Sequence, residues 1–466
     1  MLKYFRINDP YRLVGLLVIA ILIFAPFLIG GFPITLPELK SLLVGEKITE
    51  GYMPYAGLVD SSPPLTSWLY GLVDLMFGSS LLARHILAFL LIFIQGVYIG
   101  FLFINRKVFP ENTYLPSFIF IILHAFSFDT IVFSGELVGA TFLLFALSSM
   151  FKEIESRVYR LDTLLNLGVY VGIASLFSFS YLYYLPAACL VIVLYSRREL
   201  GSLLLVITGF LLPHLLLAGV YYMLDEAPSL WTYYYAPNFK VASDPLMRGG
   251  SLLLLGAVPL FYSMISLVVL GRGARFTKYQ SQLFQVMFLW TIFVVPQFFY
   301  AKSFRPQSLI VLIPAATFFL TNFLLQIRRR RYAEMNLWLL FLGLIAGGVL
   351  TRYGYIEEIS YKELIVEKQH APITGKKLLV LQDDLSYYLE NKAATSFINW
   401  KLSEQIFKEA GYYENLIKVN EAFAEDPPDA IIDPNRYMES FMEKIPALHK
   451  QYDRGTQGIY HRRVNN

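Results

Sequence analysis

Residues 82–104 read LARHILAFLLIFIQGVYIGFLFI, an apolar run with a single arginine, Arg84, close to its start. An α-helix rises about 1.5 Å per residue, so roughly 20 apolar residues are enough to cross the hydrocarbon core of a bilayer. The run reaches this length. It therefore predicts a membrane-spanning helix.

Similar runs recur along the 466 residues. The chain is 56% hydrophobic and only 16% charged, whereas globular proteins average about 25% charged residues. We predict a polytopic α-helical membrane protein with about eleven transmembrane helices. The predicted spans are residues 13–31, 82–104, 113–128, 130–150, 163–179, 181–195, 201–223, 251–270, 283–300, 307–327 and 336–351.

Lysine and arginine orient these spans, because they favour short cytoplasmic loops. With a cytoplasmic N-terminus, the cytoplasmic loops carry seventeen basic residues and the opposite loops carry seven. Because eleven is odd, the tail is then extracytoplasmic. The predicted location is a multi-pass plasma membrane, which is the inner membrane in a Gram-negative host. The net charge of +4 is too small to indicate a nucleic-acid partner, and the single cysteine, Cys189, cannot form an intrachain disulfide.

The chain divides into two predicted domains. Residues 1–351 form a transmembrane domain with a long extracytoplasmic loop at residues 32–83, and residues 352–466 form a small soluble α/β domain. The second prediction rests on a short buried-strand pattern, LLVLQ at 378–382, followed by helix-like spacing and by a turn, strand and turn in DPPDAIIDP.

Acidic residues concentrate on the predicted outer side. Loop 32–83 contains five acids, namely Glu38, Glu46, Glu50, Asp60 and Asp74. Asp129 at the turn after the third span and Glu136 just inside the fourth lie on the same side. An ionisable group inside a span is costly and is a candidate functional residue. The alternative interpretation is that each is a solvated loop acid or a carboxylate at a helix end.

Three of the seven basic residues on that side are candidate site residues as well. Lys302 and Arg305 form the turn between spans nine and ten, and Arg84 opens span two. Lysine and arginine suit phosphate, arginine through its planar fork. Together with the acids they fit a substrate with a lipid-linked phosphate and a group to be transferred. The alternative is that these three side chains extend to the membrane surface and act as anchors.

The layout resembles the GT-C glycosyltransferases, in particular those related to protein O-mannosyltransferases and lipid A aminoarabinose transferases. The resemblance covers most of residues 1–351 and rests on the order of several motifs. These are Pro37-Glu38, Asp60, Pro63-Pro64-Leu65, Trp68, Phe77-Gly78, Arg84, Lys302-Ser303-Phe304-Arg305-Pro306 and Pro314.

The resemblance implies transfer of a sugar from a polyprenyl-phosphate donor to a lipid, glycan or protein acceptor at the outer face. Glu38 and Asp60 would orient or deprotonate the acceptor hydroxyl. Lys302, Arg305 and Arg84 would bind the donor and stabilise charge on the leaving phosphate. Asp129 and Glu136 complete the implied substrate-binding set. Whether a divalent metal binds the acidic loop stays open.

Two other classes of function compete with the enzyme. A non-catalytic membrane scaffold for envelope assembly is favoured by Pro37, which stands where the family usually has the first of two acids. A lipid or solute transporter would show polar residues deep in several spans and internal repeats. The spans here are mostly apolar, so the transporter ranks third.

Overall fold

The structure, a computed structural model, describes residues 1–29, 31, 33–155, 161–195, 200–240, 245–273, 276–297, 303–367, 373–455 and 458–463. The chain forms two compact units. The helical unit comprises Met1–Phe32, Ser80–Gly219 and Val241–Leu364, and the sheet unit comprises Pro33–Ser79, Val220–Lys240 and Ile365–Asn466.

The helical unit is built mainly from α-helices. Its α-helices are Leu2–Phe5, Arg12–Ile29, Leu81–Asn105, Leu115–Leu123, Gly135–Glu155, Leu161–Phe177, Tyr184–Tyr195, Leu200–Met223 (whose last turn counts with the sheet unit), Gly249–Leu255, Ala257–Gly273, Lys278–Ile292, Ile313–Gln326 and Arg330–Arg352. Short 3-10 helices lie at His124–Phe126, Phe128–Ile131, Phe179–Tyr183 and Pro306–Leu312.

Several of these helices can cross a membrane. Among the described residues, five helices are long and apolar enough by themselves, and a bent pair, Gly249–Leu255 with Ala257–Gly271, passes the same criterion as a sixth. Shorter apolar helices cover Arg12–Pro26, Leu115–Phe126, Leu161–Phe177 and Phe179–Tyr195. Each predicted span overlaps a helix of the described chain, whereas the count of eleven stays a prediction.

Small residues allow two of the helices to pack closely. A Cβ atom on Gly168 would clash with the carbonyl oxygen of Val206, and one on Gly209 would clash with that of Leu165. Small residues at such contacts are typical of helix pairs in membranes, where close packing drives association. Helices Leu161–Phe177 and Leu200–Met223 therefore require glycine at both positions.

The sheet unit contains a five-stranded sheet, with strands β1 (Lys377–Val380), β2 (Lys392–Ala393), β3 (Ala430–Ile432), β4 (Tyr452–Arg454) and β5 (Ile459–Arg462). The strand order is β2-β1-β3-β5-β4. Strand β1 pairs in parallel with β2 and β3, and β5 pairs antiparallel with β3 and β4. The helices of this unit are Leu36–Thr49, Pro64–Phe77, Ala227–Leu230, Ala236–Phe239, Trp400–Lys408, Tyr413–Glu425, Tyr437–Lys444 and Pro446–Gln451, with a π-helical turn at Trp231–Tyr235 and a 3-10 helix at Ser386–Leu389.

The two faces of the sheet bury different parts of the chain, because alternate strand residues point to opposite sides. On one face, Leu379 and Ile431 share a core with helices of the tail, and this core also contains Val59. On the other face, Leu378 and Val380 pack with Leu43, Val44, Tyr52 and Tyr70 of the acidic loop. The acidic loop and the tail thus share a hydrophobic core, and a domain boundary near residue 351 stays a prediction.

Candidate functional site

Arg305 lies at the centre of a buried polar cluster in the helical unit, formed with Asp129, Glu136 and Gln307 (the arginine cluster). Its Nη1 donates to Asp129 Oδ1 at 3.3 Å, and its Nη2 donates to Glu136 Oε2 at 3.2 Å. Nη2 also donates to Gln307 Oε1. The Asp129 side chain is fully buried, whereas that of Glu136 keeps 22% of its exposure. Glu136 is therefore the partner of Arg305 that a ligand can replace more easily.

Breaks in the helices bring these side chains together. Asp129 lies in a 3-10 turn whose N-cap is Ser127. The Ser127 hydroxyl accepts a hydrogen bond from the Asp129 backbone N–H at 3.3 Å. Arg305 is extended and immediately precedes the 3-10 helix that contains Gln307. The Gln307 backbone N–H donates to Asp129 Oδ2 at 2.8 Å, and its side-chain amide donates to the carbonyl of Val132 at 2.6 Å. Asp129 consequently has donors at both carboxylate oxygens.

An apolar cavity of about 490 Å³ lies in the same unit. Phe304 and Leu309, which lie close to Arg305 in sequence, contribute to its lining. The bent helix pair forms part of its wall through Leu252, Leu253 and Leu260. A cavity of this size and lining fits a hydrocarbon chain.

Asp60 lies in a tightly bonded loop of the sheet unit, residues 52–63 (the Asp60 loop). The residue is 3% exposed. Its Oδ1 accepts from Lys40 Nζ at 2.6 Å and from Asn399 Nδ2 at 3.0 Å, and its Oδ2 accepts from the Ser62 backbone N–H at 3.0 Å. Lys40 comes from the helix that carries Glu38, and Asn399 comes from the tail. The tail thus contributes directly to the environment of this candidate residue.

These contacts determine the charge on Asp60. Burial alone would raise its pKa, but the Lys40 ammonium and hydrogen bonds from Lys40, Ser62 and Asn399 outweigh burial and hold the pKa below its usual value. The carboxyl is therefore ionised at neutral pH. A carboxylate with a lowered pKa is a weak base, since general-base catalysis works best with a pKa near the operating pH. Asp60 is better suited to orienting a group than to removing a proton.

We expect Asp60 to make the stability of the protein depend on pH. A carboxyl whose pKa is lower in the folded than in the unfolded state stabilises the fold when ionised, and this contribution is lost as the pH falls through the lowered pKa. The stability of Asp60→Asn should therefore fall less steeply with decreasing pH than that of the wild type. Thermal unfolding in detergent micelles at a series of acid pH values measures this. Asp383→Asn, which changes a carboxylate whose side chain is 64% exposed, is the control. Equal acid dependence in wild type and Asp60→Asn would contradict the role of Lys40.

Three tyrosines fix the conformation of the Asp60 loop. Tyr55 has a left-handed backbone (φ +66°) and is 2% exposed. Its hydroxyl donates to the carbonyl of Ser62. The Tyr55 ring lies 5.8 Å from that of Tyr221 and 5.7 Å from that of Tyr234. A non-glycine residue with positive φ is held by its surroundings, and here the surroundings are aromatic.

Glu38 occupies the first turn of helix Leu36–Thr49 and is 2% exposed. Thr35 caps this helix, because its hydroxyl accepts the Glu38 backbone N–H at 3.3 Å. An acid in the first helical turn also interacts favourably with the helix dipole. Glu38 is thus buried at the start of the helix that delivers Lys40 to Asp60.

The structure brings together Asp129, Glu136 and Arg305 among the predicted site residues. Glu38 and Asp60 belong to the sheet unit, and Arg84 belongs to the helical unit. Arg84 lies in the first turn of helix Leu81–Asn105 and is 1% exposed. Lys302 lies outside the described residues.

Sequence reasoning did not single out Lys40, Gln307 or Asn399. Lys40 is close in sequence to Glu38, so its presence beside the site could have been found from the loop alone. Gln307 follows the Lys302–Pro306 motif directly. Asn399 is 339 residues from Asp60 along the chain, and no pattern in the sequence connects them.

Within the described ranges, no group of three or more His, Cys, Asp and Glu side chains is arranged to hold a metal ion. Loop 32–83 supplies Asp60 with the Lys40 ammonium group and the Ser62 backbone N–H, and the tail supplies the Asn399 amide.

The helical unit and its apolar helices define the class of protein. The chain has a GT-C-like fold, and it is an integral membrane protein. No protein-family model and no curated protein sequence matches it.

The chain is similar in structure to ArnT from Cupriavidus metallidurans, as seen in two crystal structures. The apo structure aligns with a TM-score of 0.52 at 12% identity, over 82% of this chain and 84% of ArnT. The structure bound to undecaprenyl phosphate aligns with a TM-score of 0.55 at 13% identity, over 85% of this chain and 88% of ArnT. ArnT is a lipid A aminoarabinose transferase. At this identity the likeness establishes the fold alone.

Proposed function

We propose that the protein is a glycosyltransferase that moves a sugar from a polyprenyl-phosphate donor to a lipid, glycan or protein acceptor. The observation that carries the proposal is the ArnT-like fold with an apolar cavity lined by residues near Arg305. A cavity for the polyprenyl chain and an adjacent cation for its phosphate are the two features that such a donor requires.

In this proposal Arg305 contacts the donor phosphate. Asp129 is buried and holds the guanidinium in a fixed orientation. Phosphate oxygens then compete with Glu136 for Nη2, because the Glu136 side chain is the exposed partner. Arginine suits this exchange, since its planar fork binds carboxylate and phosphate oxygens alike. We assign Lys302 and Arg84 to the same substrate on the sequence motif, with Asp129 and Glu136 as its supporting acids.

Glu38 and Asp60 are the proposed catalytic acids. The lowered pKa of Asp60 favours a role in orienting the acceptor, which leaves Glu38 as the candidate that deprotonates the acceptor hydroxyl. The distribution of lysine and arginine supports an inner-membrane protein with a cytoplasmic N-terminus and extracytoplasmic residues 352–466. Transfer would then take place at the outer face.

We expect Glu38→Gln to abolish glycan transfer while the protein reaches normal levels in the membrane, because the amide cannot accept a proton. Transfer from a radiolabelled polyprenyl-phosphate sugar into membrane acceptors is the measurement. Glu46→Gln is the matched control, since Glu46 lies on the same helix and pairs with Lys392, whose side chain is 66% exposed. Unchanged product from Glu38→Gln would remove Glu38 from the mechanism.

A non-catalytic scaffold is the second candidate. Arg305 and Asp60 already have oppositely charged partners within the protein, as expected of residues that hold a fold together. Purified protein in lipid nanodiscs distinguishes the two candidates. Binding of undecaprenyl phosphate that Arg305→Lys weakens would support the enzyme, whereas neither binding nor consumption of a polyprenyl-phosphate sugar would support the scaffold.

A further inference from the structure

An exposed aromatic face lies on the helical segment Ala227–Phe239 of the sheet unit. The rings of Trp231, Tyr235 and Phe239 form one cluster, with centroid distances of 6.0, 6.4 and 6.5 Å. Trp231 is 60% exposed and Phe239 is 52% exposed. The spacing of four residues places the three rings on one side of the helix, and we call this side the aromatic face.

A neighbouring side of the same helix holds the Asp60 loop. Tyr234 is fully buried and packs on the Tyr55 ring at 5.7 Å. The side-chain amide of Asn238 donates to the carbonyl of Ser61 at 3.3 Å. Successive residues of a helix are about 100° apart around its axis. Residues 234 and 238 therefore lie on one side of the helix, and residues 235 and 239 lie on the adjacent side. One helical segment therefore carries both the aromatic face and the residues that contact the loop.

This segment lies next to the end of a membrane span. Helix Leu200–Met223 is long and apolar enough to cross a bilayer, and Tyr221 lies in its last turn. The Tyr221 hydroxyl donates to the carbonyl of Pro54 at 2.9 Å, and its ring lies 5.8 Å from that of Tyr55. Tyr55 thus lies between the end of the span and Tyr234. The helical segment is therefore linked through Tyr55 to the last turn of this helix.

We propose that the aromatic face inserts into the headgroup layer of the bilayer and fixes the Asp60 loop at that depth. Tryptophan and tyrosine favour this layer because each has an apolar ring and a polar group. The face carries no charged side chain, whereas Asp225 and Lys240 stand exposed at the two ends of the segment. An amphipathic helix of this kind buries its apolar side about 5–10 Å into the boundary between headgroups and acyl chains.

A lipid surface fits the aromatic face better than a sugar does. The Trp231 ring is tilted by 31° from that of Tyr235 and by 38° from that of Phe239. The three rings therefore do not form one flat platform for a pyranose ring. The span that ends at Met223 also continues as an exposed apolar surface, with Tyr222 and Met223 at 76% and 85% exposure. The helical segment that carries the aromatic face follows this exposed apolar surface along the chain, after Asp225 and Glu226.

Depth-dependent quenching of Trp231 tests the proposal without any assay of sugar transfer. The full-length protein and Trp231→Phe are reconstituted in phosphatidylcholine and phosphatidylglycerol vesicles, with lipids brominated either near the headgroup or near the chain end. The difference between the two emission spectra reports Trp231. We expect this difference signal to be quenched strongly by the shallow bromines, weakly by the deep bromines and little by aqueous iodide.

A tryptophan at position 412 provides the matched control. Tyr412 is 65% exposed on the tail of the same unit, and Tyr412→Trp in the Trp231→Phe background should be quenched by iodide and not by brominated lipid. Iodide quenching of Trp231 equal to that of the control would overturn the proposal. Protection of Trp231 from iodide by a soluble glucan oligosaccharide, without any effect of brominated lipid, would also overturn it and assign the face to a sugar. If the protein transfers no sugar, the quenching result is unaffected.

Discussion

Arg305→Ala is expected to destabilise the protein by about 3–5 kcal/mol, the loss found when one partner of a buried ion pair is removed. The variant leaves the fully buried Asp129 carboxylate without its guanidinium partner. Water cannot easily replace the cation there, because Asp129 is 0% exposed. Thermal unfolding of the purified protein in detergent micelles measures the loss.

Two further variants separate the structural role of Arg305 from its proposed contact with phosphate. Glu136→Gln should lose far less stability, about 1 kcal/mol or less, because partly exposed pairs contribute little. The double variant Asp129→Asn/Arg305→Met removes both buried charges and should recover much of the stability that Arg305→Ala loses. If the double variant is stable and still binds undecaprenyl phosphate normally, Arg305 does not contact the donor.

Lys47→Met is expected to destabilise the sheet unit by about 3 kcal/mol, at the lower end of the range for a broken buried pair. The Lys47 side chain is 1% exposed, and its Nζ contacts Asp426 Oδ2 at 2.7 Å and Glu50 Oε2 at 2.8 Å. The variant keeps the length of the side chain but leaves both carboxylates without this cation. Asp426 retains a second partner, Lys377 at 2.7 Å, which limits the loss.

Lys377→Met is the matched control for Lys47→Met. It removes the other lysine from the same carboxylate, but the Lys377 side chain is 39% exposed, so the loss should stay within about 1 kcal/mol. Burial raises the pKa of Asp426, and the two lysines more than offset it, so its pKa is lowered. Lys47→Met should therefore raise the pKa of Asp426, and the variant should lose less stability than the wild type when the pH falls. Equal losses in the two variants would show that burial does not govern the strength of this cluster.

The broad architecture of the helical unit could be predicted from the sequence. Apolar runs of membrane-spanning length identify helices by composition alone, and the resemblance to the GT-C glycosyltransferases through Pro63-Pro64-Leu65 and the Lys302–Pro306 motif agrees with the GT-C-like fold. The side of the membrane on which each loop lies remains a prediction. It depends on the positive-inside trend.

The candidate site could be predicted only in part. The sequence singled out Asp129, Glu136 and Arg305, and these form the arginine cluster. It treated them, however, as separate ligands for a substrate, whereas in the structure they are partners of one another. The family resemblance implies that Asp60 orients or deprotonates the acceptor. Burial raises the pKa of Asp60, but Lys40, Ser62 and Asn399 outweigh burial and lower it, which favours orientation. A sequence reports which charges exist and does not report which of them neutralise each other.

The sequence by itself determined that this chain enters a membrane and that loop 32–83 carries five acids, two of them candidate site residues, because both follow from composition and local order. Only the tertiary structure decided what that loop is attached to. The loop packs against the sheet through Leu43 and Val44, bonds to the tail through Asp60 and Asn399, and contacts the end of a span through Tyr55 and Tyr221. These contacts join residues that are far apart along the chain. They depend on how the chain folds back on itself, which no local pattern encodes.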